Sequence, residues 1–271
     1  MNASNPIGVF DSGVGGLSVF RAIRDELPSE DLIYVGDSGF APYGDRSQAF
    51  VQERAAAITE FLIREGSKAV VIACNTATGI AVELLRSRFP QMPIVAVEPA
   101  VKPAAARTKT GVVGILATSG TLSSANVTKL LNKYGVDVEI LTQAGVGLVE
   151  QVEKGELSGE RTRALIQKLV RPMVEKRADV LVLGCTHYPF LRAEIQEAVG
   201  PGVEIIDPAM AVARELRRRL ETGGLLADGR QPAAERFLTT GDPAEVSPIM
   251  SQLLGKPVEV ERLPADASTQ T

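Results

Sequence analysis

The chain has 271 residues, 45% hydrophobic and 23% charged, with 29 Lys and Arg against 33 Asp and Glu and a formal net charge of -4. That length allows two ordinary domains or one large one, and the charge balance is that of a soluble globular enzyme with no electrostatic footprint for DNA or RNA. No apolar run approaches a membrane-spanning helix, and Met1-Asn2-Ala3-Ser4-Asn5-Pro6 lacks the basic-then-apolar pattern of a signal peptide, so a cytoplasmic location is expected.

In chain order, short β-branched runs alternate with longer amphipathic stretches. Residues 7–10 read as a strand and 17–23 open a helix. Residues 32–35 are a strand, followed by a Gly- and Pro-containing loop and a helix to residue 64. Residues 69–73 form a buried strand, a helix runs to 88, and 94–97 is a strand. The pattern then restarts. Residues 112–116 are a strand, a helix lies around 127–131, 138–141 is a strand, and a helical region extends to 176. A strand at 180–183 precedes a helix from 190; a strand at 203–206 precedes a helix through 219. Residues 221–235 read as a loop, 237–240 and 258–260 as further strands, and 265–271 as a frayed tail. Near-continuous apolar strands separated by helices predict an α/β fold with parallel sheets covered on both faces.

A weak internal repeat accompanies the restart. Gly8-Val9-Phe10-Asp11-Ser12-Gly13 resembles Gly114-Ile115-Leu116-Ala117-Thr118-Ser119-Gly120. Val71-Ile72-Ala73-Cys74-Asn75-Thr76 resembles Val182-Leu183-Gly184-Cys185-Thr186. Two similar α/β units would each place a cysteine at the end of an equivalent strand; chance similarity between buried strands is the competing explanation.

Four motifs carry chemistry. Phe10-Asp11-Ser12-Gly13-Val14-Gly15-Gly16-Leu17-Ser18 lies between a strand and a helix, where open α/β sheets bind ligands and a helix start offers free amides to an anion. Ser18 stands where a dinucleotide fingerprint needs Gly or Ala, and Asp11 is more than a tight turn requires. Ala41-Pro42-Tyr43-Gly44 alone reads as a loop. In Ala73-Cys74-Asn75-Thr76-Ala77, a thiol sits where strand gives way to helix, a position that lowers a thiol's pKa. Asn75 and Thr76 can cap the helix or bind a carboxylate.

Gly184-Cys185-Thr186-His187-Tyr188-Pro189 repeats that context with His187, the single histidine, two residues from the thiol as base, orienter or proton partner. One histidine excludes a histidine-rich metal site. The cysteines stand 111 residues apart (185 − 74), which excludes a local CxxC motif, and reduced cytoplasmic thiols imply no disulfide. Two thiols with unlike assistants, Asp11 and His187, suit stereoinversion at carbon: one base removes a proton from one face and an acid delivers one to the other. A hydrolytic Cys–His pair would leave the second thiol unexplained.

The four strings, in this order and spacing, closely resemble the glutamate racemase family over nearly the whole chain. The resemblance implies L- and D-glutamate as ligands, interconverted without pyridoxal phosphate, metal or other cofactor. It implies two α/β domains related by a pseudo-twofold, residues 1–98 with 208–271 and residues 99–207, with the substrate between them. Cys74 would act on D-glutamate assisted by Asp11, and Cys185 on L-glutamate assisted by His187. Ser12, Tyr43, Gly44, Asn75, Thr76, Thr118, Thr121 and Thr186 would hold the ammonium and carboxylates, with Asp11 and His187 also at the substrate. The family supplies D-glutamate for peptidoglycan and usually forms homodimers. Some members carry an N-terminal extension responding to a wall precursor, and that regulation is not expected here. The competing readings are an aspartate or hydantoin racemase of the same fold, and a non-catalytic nucleotide-binding α/β protein.

Overall fold

Parallel strands covered by helices must bury both faces, and the sequence meets that demand with runs of Val, Ile and Leu. A computed structural model describes residues 2–135, 137–229 and 233–264. The first part of the chain runs β1 (Ile7–Asp11), α1 (Leu17–Glu26), β2 (Leu32–Gly36), α2 (Gln48–Arg64), β3 (Ala69–Ile72), α3 (Asn75–Arg88) and β4 (Ile94–Ala96). The second runs α4 (Val101–Arg107), β5 (Val112–Ala117), α5 (Ser119–Leu122), α6 (Ala125–Tyr134), β6 (Glu139–Ala144), α7 (Leu148–Glu153), α8 (Glu160–Glu175), β7 (Val180–Gly184), α9 (Arg192–Val199) and β8 (Glu204–Ile206). The chain then adds α10 (Ala209–Thr222), β9 (Glu235–Thr239), α11 (Pro243–Leu254) and β10 (Val260–Arg262).

These strands form a six-stranded sheet, β10-β9-β2-β1-β3-β4, and a four-stranded sheet, β6-β5-β7-β8. Every described pairing is parallel. The order β2-β1-β3-β4 in the larger sheet recurs as β6-β5-β7-β8 in the smaller. Thus β1 corresponds to β5 and β3 to β7, the same pairs that the sequence strings link. In both sheets the chain leaves the first strand toward one edge and returns to the other side. The crevice at the carboxyl ends of those adjacent strands is the switch point where such sheets bind ligands. Asp11 and Cys74 lie at that point of one sheet, Thr118 and Cys185 at that of the other.

Packing follows the expected pattern. β1, β2, β3 and β7 are buried along their whole length. β6 is an edge strand, and its Glu139, Thr142 and Gln143 suit a half-exposed position. α10 packs on α1 and returns the chain to the larger sheet. Phe20, Tyr34 and Phe237 join α1, β2 and β9 in an aromatic cluster, Phe20 meeting Tyr34 edge-on at 5.9 Å.

Some boundaries differ from the sequence reading. The helix expected to stop at 219 continues to Thr222, because Leu220 is fully buried and holds another turn against the core. The expected helix from 190 begins as a 3-10 turn, Tyr188–Leu191, before α9 starts at Arg192. The strand expected at 237–240 spans Glu235–Thr239, and that at 258–260 spans Val260–Arg262. The tail 265–271 lies outside the described residues. None of the described helices is long and apolar enough to cross a membrane.

Candidate active site

Cys74 follows β3 and caps α3. With φ -76° and ψ 121° it stands just outside the helix, and its sulfur accepts from Ala77 N at 3.4 Å. Its thiol donates to Ser12 Oγ over 3.8 Å. The helix start was expected to lower this thiol's pKa, and the structure corrects that. Burial pushes it well above its ordinary value, the nearby Asp11 charge adds to the rise, and the Ala77 amide and Ser12 offset only part. Desolvation here outweighs a single amide.

Asp11 ends β1 and is fully buried. Its Oδ2 accepts from Gly16 N at 2.6 Å and from Thr186 Oγ1 at 3.1 Å, so a side chain of the second half reaches it. Oδ1 has no hydrogen-bond partner among the described residues. Burial raises its pKa, with His187 and Cys74 opposing.

Cys185 follows β7 and is buried. His187 Nδ1 stands 3.6 Å from its sulfur, and His187 Nε2 lies 2.6 Å from Glu153 Oε1 at the end of α7. Burial alone would lower the imidazole's pKa. Hydrogen bonds to Cys185 and Glu153, with their charges, instead lift it well above its ordinary value. The second thiol therefore faces an imidazole whose protonated form is favoured, whereas the first faces a carboxyl group.

These groups meet at a small cavity of about 10 Å³. Ser12, Tyr43, Gly44, Cys74, Asn75, Thr76, Thr118, Thr121, Cys185, Thr186 and His187 all line it, together with Pro42 and Val149. Asp11 is not on the wall; it touches the wall through Thr186. A neighbouring space of about 50 Å³ shares Pro42, Gly44, Thr118 and Val149 with the cavity and adds Asp45 and residues 145–147.

The wall is polar in a specific way. Thr76 Oγ1 lies 2.9 Å from Thr118 Oγ1 and 3.2 Å from Thr121 Oγ1, and Thr118 donates to Thr121 at 2.9 Å. Thr118 Oγ1 also caps α5 by accepting from Thr121 N at 3.1 Å. Among the described residues both amide atoms of buried Asn75 lack a partner, which leaves a donor and an acceptor for a ligand. Tyr43 differs: its hydroxyl donates to Asp37 Oδ2 at 2.5 Å, so only its other atoms are free to face a ligand.

Sequence reasoning missed Glu153, Asp37 and Arg54. Arg54, 1% exposed, donates through Nε and Nη2 to Asp37 at 3.0 and 2.7 Å, and Thr240 donates to the same carboxylate at 2.8 Å. Asp37 directly follows β2 as Asp11 closes β1, so its strand-end position was an available signal. Glu153 gave none, because in Leu148-Val149-Glu150-Gln151-Val152-Glu153 it looks like a solvated helix end. The β1–α1 loop is also corrected as an anion cradle: Gly16 N is held by Asp11, Leu17 N by Val14 O, and Val14 N by Glu153 Oε1 at 2.8 Å. Two of its amides already serve the protein's own carboxylates and a third the Val14 carbonyl, which leaves fewer of them for an anionic ligand. Among the described residues no group of three or more His, Cys, Asp or Glu could hold a metal ion.

The Asp/Glu/Hydantoin racemase family model matches residues 7–216. The glutamate racemase of Pseudomonas paraeruginosa is 51% identical over 260 residues, covering 96% of this chain and 98% of that protein. The structure of glutamate racemase from Francisella tularensis in complex with D-glutamate has a TM-score of 0.86 at 29% identity, covering 98% of this chain and all of that one. The Escherichia coli glutamate racemase in complex with L-glutamate and an activator has a TM-score of 0.85 at 32% identity, over 96% and 98% of the two chains. Fold, paired thiols and these likenesses agree: the chain belongs to the glutamate racemase family of the Asp/Glu/hydantoin racemases.

Proposed function

We propose that the protein interconverts L- and D-glutamate by moving the Cα proton between Cys74 and Cys185, without a cofactor. One observation carries the mechanism: the two free cysteines, from equivalent strand ends, line one cavity. Relatives named glutamate racemase, at about half identity over nearly the full length, support the substrate. In the L-to-D direction the Cys185 thiolate takes the Cα proton, the electron pair is delocalised into the α-carboxylate, and the Cys74 thiol gives its proton to the opposite face. The reverse reaction exchanges these roles.

Each half-site is set for its part. His187, whose protonated form is favoured by its bonds to Cys185 and Glu153, stands 3.6 Å from the Cys185 sulfur, while burial and Asp11 favour the protonated form of Cys74. Asp11 then draws on the Cys74 proton when that sulfur must act as base. The hydroxyls of Ser12, Thr76, Thr118, Thr121 and Thr186, the Asn75 amide and the Gly44 backbone hold the ammonium and carboxylates. Fixed donors near the α-carboxylate stabilise the charge that develops there. Residues 1–98 with 208–271 and residues 99–207 would act as two domains closing on the substrate, which excludes water and aligns both sulfurs with Cα. The wider role is cytoplasmic supply of D-glutamate to peptidoglycan by a homodimer.

The test is circular dichroism of L-glutamate, D-glutamate and L-aspartate with purified protein. Decay toward zero from both glutamate enantiomers is expected. No decay with glutamate rejects the proposal, and decay with aspartate alone transfers it to an aspartate racemase. Cys74→Ser and Cys185→Ser should each abolish racemisation yet retain elimination of a β-chloro analogue from one enantiomer only. Retention for both enantiomers in both variants rejects the two-thiol assignment.

A further inference from the structure

The loop between β1 and α1 carries more glycine than its backbone conformation explains. Gly13 and Gly15 are not among the glycines with positive φ, so an L side chain could adopt the backbone there. What is missing is space. A Cβ on Gly15 would lie 2.2 Å from His187 Nδ1 and 2.5 Å from Cε1. A Cβ on Gly13 would lie 1.9 Å from Glu153 Oε1 and 2.7 Å from Cδ. The two glycines of the first half thus receive the two members of the pair that faces Cys185 in the second half.

The contact is bonded as well as close. Val14, between the glycines, donates its N–H to Glu153 Oε1 at 2.8 Å, the same oxygen that meets His187 Nε2 at 2.6 Å. Ser18, in the first turn of α1, donates to the carbonyl of Thr186 at 2.8 Å, beside His187. Imidazole and carboxylate are therefore located against the loop from three sides.

We propose that Gly13 and Gly15 are positioning residues for the Cys185 half of the reaction: lacking Cβ atoms, they let the His187–Glu153 pair seat on the first loop, and that seat sets the imidazole against the Cys185 sulfur. This rests on the racemase reading above. The two positions differ in what can yield. His187 is 2% exposed and cannot swing into solvent, so a methyl at 15 must disturb the 3.6 Å approach to Cys185 or the 2.6 Å bond to Glu153. The Glu153 side chain is 19% exposed and long, so a methyl at 13 moves the carboxylate and loosens its bonds to Val14 and His187.

The experiment compares full-length wild type with Gly15→Ala, Gly13→Ala, and Gly13→Ala combined with Glu153→Asp, whose shorter side chain makes room for the methyl. Gly202→Ala is the control, because a Cβ there meets nothing within 4 Å. Two readouts are taken: racemisation from each enantiomer, and iodoacetamide alkylation of Cys74 and Cys185 mapped by mass spectrometry. Iodoacetamide reports thiolate, which a neighbouring imidazolium favours. Gly15→Ala should lower kcat by about tenfold to a hundredfold, the usual scale of a displaced acid–base group, with KM changed by less than about threefold. Alkylation at Cys185 should fall about tenfold relative to Cys74. Gly13→Ala should show a milder form, partly recovered by Glu153→Asp, and Gly202→Ala should match wild type.

Wild-type kcat and alkylation ratio in Gly15→Ala overturn the proposal. Equal slowing of both thiols also overturns it. If Gly15→Ala fails to fold, the Gly13 variants decide, and absence of recovery in the double variant overturns the seat. If wild type does not racemise glutamate, the racemase reading falls while the alkylation ratio still tests the positioning.

Discussion

Replacing Glu153 by Gln changes one heavy atom and removes one charge from the second half-site. Glu153 Oε1 receives Val14 N at 2.8 Å and His187 Nε2 at 2.6 Å. The Gln carbonyl can keep either bond as a neutral acceptor, so the main loss is charge assistance to the imidazolium. Hydrogen bonds to charged groups contribute about 1.5–3 kcal/mol, which corresponds to roughly 10- to 150-fold in rate if the whole is lost at the transition state.

The pH dependence has a definite sign. His187 has its pKa raised in the folded protein, chiefly against burial, by its bonds to Cys185 and Glu153. Its stabilising contribution is complete below the unfolded value of about 6.5 and is lost as pH rises through the folded value. In Glu153→Gln the folded value drops, so that contribution is smaller and is exhausted at lower pH. The alkaline limb of kcat for L-glutamate should shift to lower pH, and the thermal stability gap from wild type should be largest near about pH 6 and narrow in alkali. Circular dichroism of racemisation across pH, with thermal melts in the same buffers, measures both. An unshifted alkaline limb with a pH-independent stability gap would refute the charge relay through Glu153.

Two further substitutions probe other buried charges. Asp11→Asn removes a fully buried carboxyl whose pKa is raised by desolvation and whose Oδ1 is unpartnered; a raised carboxyl favours the fold at low pH and costs it above the folded pKa. At neutral pH the variant should melt a few degrees higher, from about 1–2 kcal/mol of relieved desolvation, yet racemise about a hundredfold more slowly; a lower melting temperature with activity kept would contradict this. Arg54→Met strands buried Asp37, and breaking such a pair costs about 3–5 kcal/mol, or roughly 6–20 °C in Tm for a chain of this size. Adding Asp37→Asn should restore part of that Tm, and a single variant as stable as wild type would show that the pair holds nothing.

What the sequence disclosed followed from how strongly local pattern constrains each element. The inner strands β1, β2, β3 and β7 coincide with apolar runs, because a strand buried on both faces has no room for polar residues, whereas the edge strand β10, Val260-Glu261-Arg262, shares only Val260 with the run expected at 258–260. Cys74 and Cys185 could be paired because each follows such a strand in the same context. α5 was less legible: Thr118-Ser119-Gly120-Thr121 looks like a turn, and only the Thr118 cap on Thr121 N makes it a single helical turn. Thiol acidity was misjudged at Cys74 because a helix start is visible in sequence and burial is not. Glu153 was hidden for a related reason: its role arises from contact with Val14, 139 residues earlier, and with His187, 34 residues later.

The two halves repeat in topology but not in charge, and the difference fits a two-faced proton transfer. The first half places a carboxyl group at the end of β1, beside Cys74. The equivalent position at the end of β5 holds Ala117, which carries no acid, and the next residue is Thr118, a helix cap and cavity hydroxyl. The second half instead brings a carboxylate from α7, and His187 stands between it and Cys185. One sulfur therefore faces an acid directly, and the other faces an imidazolium backed by an acid. A strict repeat would give both sulfurs the same surroundings; here burial and Asp11 favour the protonated form of Cys74, and the neighbour of Cys185 is instead an imidazole whose protonated form is favoured. Turnover must also reach the exchanged state, and the Thr186 hydroxyl, 3.1 Å from Asp11 Oδ2 and adjacent to Cys185, ties the two surroundings together. Loss of that hydroxyl in Thr186→Val would remove one donor from Asp11 Oδ2 and raise the cost of its ionised form. The exchange should then slow most in the direction that starts from D-glutamate, where Cys74 must give up its proton first. Initial rates from the two enantiomers would show this as unequal changes in kcat, and equal changes would argue that Thr186 only shapes the cavity.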